Sequence, residues 1–129
     1  MKTTAKQFET FKAEFRRWQR LLGLTDWRVY FAHDKVKDAY AEIVPNTEGR
    51  IVTVFFGAEV DDKNGAKIGY DPSSTGRHEA FELLLAELKY IARSRSFNED
   101  NLDAASHAVI RRLENLFDEH AFDAAEGDR

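Results

Sequence analysis

The sequence predicts an α+β domain: one N-terminal helix, a three-stranded and mainly antiparallel sheet, then two C-terminal helices. Three observations carry this. Apolar residues recur at three- and four-residue steps at both ends of the chain, and short β-branched and aromatic runs fill the stretch from Leu24 to Phe56. The connections between those runs are short, which favours an antiparallel meander. The order α-β-β-β-α-α segregates strands from helices, the signature of an α+β layout.

The first helix is expected over residues 4–22. Phe8, Phe11, Phe15, Trp18 and Leu22 form its apolar stripe, Thr4 and Gln7 make a capping-box pair, and Gly23 sits where a left-handed C-terminal cap belongs. The basic residues Arg16, Arg17 and Arg20 read as a solvated face of that helix.

Strands follow at Trp27–Phe31, Ala39–Val44 and Arg50–Phe56, with Pro45–Gly49 supplying turn chemistry between the second and third. The third, Arg-Ile-Val-Thr-Val-Phe-Phe, is apolar at both alternations and is expected to be buried on both faces. Residues 57–76 are the least regular stretch, with four of the seven glycines; loops of this length tend to be functional. A cap from Ser73, Ser74 or Thr75 then opens a helix over 76–93, buried through Phe81, Leu84, Leu88 and Ile91. The last helix covers 99–119, with Leu102, Val109, Leu113, Leu116 and Phe117 apolar. Residues 1–120 read as one domain and 121–129 as an acidic, frayed tail.

The bulk composition narrows the function classes. A chain of 129 residues, 43% hydrophobic and with ten Phe, can bury a core without disulfides or metal. It has no cysteine, so any zinc would be held by His and carboxylate. A net charge of −4 without a basic run gives nucleic-acid binding no support. The opening Met-Lys-Thr-Thr-Ala-Lys-Gln-Phe has no apolar run of signal-peptide kind, and no segment has the length of a membrane span. The expectation is a cytoplasmic protein with neither nucleic-acid nor membrane partners.

One motif carries chemistry: Arg77-His78-Glu79-Ala80-Phe81-Glu82. On a helix, His78 and Glu82 project from one face, one 5.4 Å turn apart, and two such side chains can grip one metal ion. Glu79 is offset by about 100°, where metallopeptidases place the general base for a metal-bound water. A carboxylate at the second ligand position lowers the charge of the centre and makes it more hospitable to harder metals such as manganese. The bland alternative is ordinary helix-surface charge, with Glu82 answered by Lys89 or Arg77. No phosphate-binding glycine loop, EF-hand spacing or nucleophile elbow accompanies the motif; Asp61, Asp62 and Asn64 lack the calcium-loop pattern.

The segments Trp27–His33, Arg50–Phe56, Arg77–Leu88 and Val109–Phe117 together resemble a minimal zincin-like metallopeptidase domain, of the small kind encoded by phages and prophages. Only the His-Glu helix is a sharp motif. The resemblance implies a metal-dependent peptidase-like hydrolase acting on a peptide, with zinc or manganese as the cofactor. It implies His78 as first ligand, Glu79 as catalytic base and Glu82 in the place of the second ligand, where the family has His. A third ligand would come from the later helix: His107 first, Asp103 one turn before it, and Glu99 as a weaker choice. His33 and His120 are poorer candidates still. Tyr40 and Tyr70 have the right chemistry to polarise a carbonyl. The departure at Glu82 leaves a second implication open: an inactive zincin-like protein, holding no metal, that serves as a protein-binding accessory or regulatory module.

Overall fold

The computed structural model describes residues 1–60, 71–96 and 98–120. Helix α1 (Ala5–Leu21) begins with the capping box: Thr4 Oγ1 accepts from the Gln7 amide, and Gln7 Oε1 accepts from the Thr4 amide at 2.8 Å. Gly23 adopts φ +68° and closes the helix as its sequence position promised. Phe11, Phe15 and Leu22 are buried, and Phe8 and Trp18 pack partly against them.

Strands β1 (Arg28–Asp34), β2 (Ala41–Asn46) and β3 (Ile51–Gly57) form one sheet in the order β1-β3-β2. The class is α+β as expected, but the sheet is mixed and not a meander. β3 is central, parallel to β1 and antiparallel to β2. Two properties of the chain explain the order. β3 carries the most apolar run and gains most from neighbours on both sides. β2 contains Pro45, which has no N–H to give a ladder and is therefore confined to an edge. The parallel β1–β3 pairing needs a crossover of a dozen or more residues, and residues 35–50 supply it with β2 inside.

β3 is also not buried on both faces. Val52, Val54 and Phe56 are fully buried, whereas Ile51 is exposed and Thr53 and Phe55 are half-buried. The helical residues of the core, Phe11, Phe15, Ala80 and Leu83 among them, meet the sheet on the Val52–Val54–Phe56 side. Tyr30 and Val44 share the other, solvated face with Ile51. The N-terminal residues add a short tie: Thr3 N–H donates to Ala58 O and Val60 N–H to Met1 O.

The expected helix over 76–93 is two helices, α2 (Pro72–Leu84) and α3 (Ala86–Arg93), interrupted at Leu85. It starts earlier than the serines suggested. Asp71 is the cap, its carboxylate accepting from the Ser73 amide at 3.0 Å, and Pro72 occupies the first turn where a missing N–H costs nothing. The buried face also differs. Glu79, Ala80, Leu83 and Leu84 point inward, while Phe81 is 40% exposed and meets Trp18 edge-on at 5.5 Å. Gly76 sets this rotation: a Cβ there would lie 2.6 Å from the Phe11 carbonyl oxygen, so only glycine lets α2 rest directly on α1.

Helix α4 (Glu99–Asn115) is capped by Asn98 and runs into a π-helical turn, Leu116–His120. Its apolar stripe is less buried than expected. Ala105 is buried and Val109 and Leu116 pack on the core, but Leu113 and Phe117 stay exposed. The tail 121–129 lies outside the described residues, as do residues 61–70 of the irregular stretch. Among the described residues no helix is long and apolar enough to cross a membrane.

Candidate functional site

The first turns of α2, pinned on α1 through Gly76, present His78 and Glu79 to a cleft of about 490 Å3. Its other wall is the start of β2, with Ala39, Tyr40 and Ala41. A second hollow of about 350 Å3 lies further along β2, between Ile43, Pro45 and Thr47 on one side and Glu82, Ala86, Lys89 and Tyr90 on the other. The two hollows follow the same strand, with the His-Glu helix and α3 as their second wall. At the far end the β2–β3 turn is latched to α3: Arg50 pairs with Glu87 at 3.0 Å, and the Tyr90 hydroxyl donates to Glu48 at 2.6 Å.

Between the two hollows, one lined by His78 and the other by Glu82, the expected neighbours meet. His78 Nε2 lies 3.4 Å from Glu82 Oε2, as the four-residue spacing requires. The other carboxylate oxygen, Oε1, accepts from Lys89 Nζ at 2.7 Å. That hydrogen bond, ahead of the charges of Lys89 and His78, holds the Glu82 carboxyl below its ordinary value.

Glu79 is the unusual member. It is 6% exposed and receives no hydrogen bond from any described residue. The only other buried polar side chain among the described residues, Gln19, donates its amide to the carbonyls of Leu24 and Trp27. Burial pushes the Glu79 carboxyl from 4.5 up to about 7; His78 opposes the shift, Glu82 and Glu42 add to it, and Lys89 opposes it. A buried carboxyl shifted toward neutrality beside a cleft marks a candidate site, because a packing role would be served better by an apolar residue.

The later helix does not join this group. His107 is exposed on α4, its Nδ1 2.8 Å from the Asp103 carbonyl oxygen of its own helix. Asp103 and Glu99 are exposed on the same helix. Among the described residues, no three His, Asp or Glu side chains come together in a group able to hold a metal ion. His78 and Glu82 thus supply two of the three protein donors such a site needs, and Lys89 already engages one of the two. The fit to a three-ligand metal is incomplete.

His33 is structural: its Nε2 is 2.7 Å from Thr3 Oγ1, and its ring stacks on Phe8 at 4.8 Å. Tyr40 does line the cleft beside His78 and Glu79. Tyr70, Asp61, Asp62 and Asn64 fall outside the described residues, and so does the side chain of His120.

The outer backbone edge of β2 has no sequence motif of its own. Gly57 N–H donates to Tyr40 O, and with the antiparallel register this turns Glu42, Val44 and Asn46 toward β3. By the alternation of antiparallel pairs, the backbone N–H and C=O of Ala41 and Ile43 then point away from the sheet, along with the Pro45 carbonyl. Ala41 and Ile43 both line the groove. Pro45 was the signal that could have revealed this edge.

Compared with protein-family models, curated proteins and solved structures, the chain matches none of them.

Proposed function

We propose that this is a zincin-like domain that holds an extended peptide segment of a protein partner in the groove between β2 and the α2–α3 helices. Binding, and not metal-dependent hydrolysis, is its primary activity. The observation that carries this reading is the outward-facing backbone of Ala41 and Ile43 along a groove walled by His78, Glu79 and Glu82. An added strand gains main-chain hydrogen bonds there, and side-chain pockets on alternate residues give selectivity. The Pro45 position accepts but cannot donate, which limits how far the added strand can pair.

A second reading, the metal-dependent peptidase-like hydrolase, is favoured by Glu79. A carboxyl with a pKa of about 7 is well matched to general acid–base work. If a metal were bound, His78 and Glu82 are the residues that would hold it, and it would supply a Lewis acid and an activated water. Glu79 itself would hold or move a proton at the cleft wall.

Metal content separates the two. Purified, untagged protein incubated with excess zinc or manganese and then desalted is analysed by mass spectrometry, with His78→Ala in parallel. The binding-module reading expects sub-stoichiometric metal, equal in both proteins. Near-stoichiometric metal that disappears in His78→Ala would establish the hydrolase reading instead.

A further inference from the structure

A different concentration of charge lies at the end of α1, among residues that line neither hollow of the groove. A cleft of about 420 Å3 separates the end of α1 from the last turns of α4, and Arg20, Arg111, Arg112 and Asn115 line it. We propose that this cleft binds a phosphoryl group, as a free anion or as part of a small phosphorylated ligand.

Three observations support the assignment. First, none of the three guanidinium groups pairs with a carboxylate among the described residues. Arg17 pairs with Glu14, Arg50 with Asp26 and Glu87, and Arg16 lies over the Phe31 ring; Arg28, Arg77, Arg93 and Arg95 also lack a carboxylate partner among the described residues, but they do not line this cleft. Arg20 and Arg112 sit in the last turns of α1 and α4, where the helix dipole favours a cation, and what marks the cleft is the convergence of three arginines without a carboxylate among the described residues. Second, Arg112 Nε is buried and has no hydrogen-bond partner among the described residues. Third, among the described residues none of the three guanidinium groups donates a hydrogen bond to the carbonyls that end α1, several of which already accept from backbone amides.

The chemistry fits a phosphoryl oxyanion. Arginine stays charged throughout the accessible pH range, and its planar fork matches two oxygens of a phosphate at once. Strong charge-assisted hydrogen bonds from several forks would satisfy the orphaned Nε and relieve the mutual repulsion of the cations. Asn115 adds a neutral donor at the rim.

The test uses the whole chain and three probes: inorganic phosphate, pyrophosphate and ADP. Arginine Nε–H resonances are followed by 1H–15N NMR during each titration. The expected result is a saturable shift of the Arg112 Nε–H signal with pyrophosphate, weakening as salt is raised. Arg20→Gln and Arg112→Gln should each weaken binding by about tenfold or more, while Arg17→Gln, outside the cleft, leaves it unchanged. Thermal melts check folding, and Arg20→Gln, an exposed position, keeps the test valid if Arg112→Gln unfolds. ADP binding tighter than pyrophosphate identifies a nucleotide-type ligand; equal or weaker binding identifies the free anion. The proposal is overturned by the absence of any shift up to about 10 mM with all three probes. It is equally overturned if Arg20→Gln binds as the parent does, or if Arg17→Gln weakens binding as much as the cleft variants.

Discussion

Glu79→Gln should make the domain more stable at alkaline pH and remove part of its pH dependence. In the unfolded chain this carboxyl titrates near 4.5; in the folded protein burial raises it to about 7. The folded state therefore binds the extra proton between those values, and stability falls as pH rises through that window. Below pH 4.5 both states are protonated and the group makes no difference. Above pH 7 the folded protein carries a buried carboxylate, at a cost of at most about 3 kcal/mol if the whole difference between 4.5 and about 7 is taken at 1.36 kcal/mol per pH unit. Glutamine keeps the shape and stays neutral, so the variant should gain at most about 3 kcal/mol over the parent at pH 8 and little at pH 4.5. Urea unfolding in EDTA at several pH values measures both curves. A parent and variant whose difference is the same at pH 4.5 and pH 8 would refute the reasoning, since it would mean Glu79 is well solvated.

Other perturbations test the frame that holds this group. Gly76→Ala should destabilise by about 1–3 kcal/mol in urea unfolding, because the new methyl meets the Phe11 carbonyl at 2.6 Å; on an open helix surface the same change stabilises by about 1 kcal/mol. Asp71→Ala removes the cap of α2 and should cost about 1 kcal/mol in the same assay. Lys89→Met breaks a half-exposed pair with Glu82 and should change stability by less than about 1 kcal/mol. Its clearer effect is on titration: with that cation gone, the Glu79 carboxyl should titrate higher still, followed by 13C NMR of the side-chain carboxyl.

What the chain reveals about itself divides along the line between local and tertiary causes. Helix α1 was legible because Thr4, Gln7, the aromatic stripe and Gly23 all act within a few residues. The meeting of His78 and Glu82 was legible for the same reason, being fixed by helical pitch alone. The strand order was not, because hairpin-length connections favour a meander until Pro45 is read as a demand for an edge. The start of α2 hides in Asp71-Pro72, which the serines after it obscured. The interruption at Leu85 has no marker, with neither glycine nor proline nearby. The burial of Glu79 depends on Gly76 meeting Phe11 across some sixty residues of chain, and no periodicity encodes that. The same holds for His107: its place on a helix was legible, its separation from the His-Glu motif was not.

The central claim is that the β2 groove receives an extended peptide without needing a metal. The most direct test is a backbone amide NMR titration in EDTA, with a peptide selected by display against the purified domain, run on the parent and on Ile43→Pro. Ile43→Pro deletes one outward N–H while leaving the ladder to β3 intact. The account predicts that the Ala41 and Ile43 amides shift as the peptide saturates the parent, that zinc leaves the affinity unchanged, and that Ile43→Pro loses binding about tenfold or more. Shifts confined to other surfaces, or binding that appears only when zinc is restored, would contradict it.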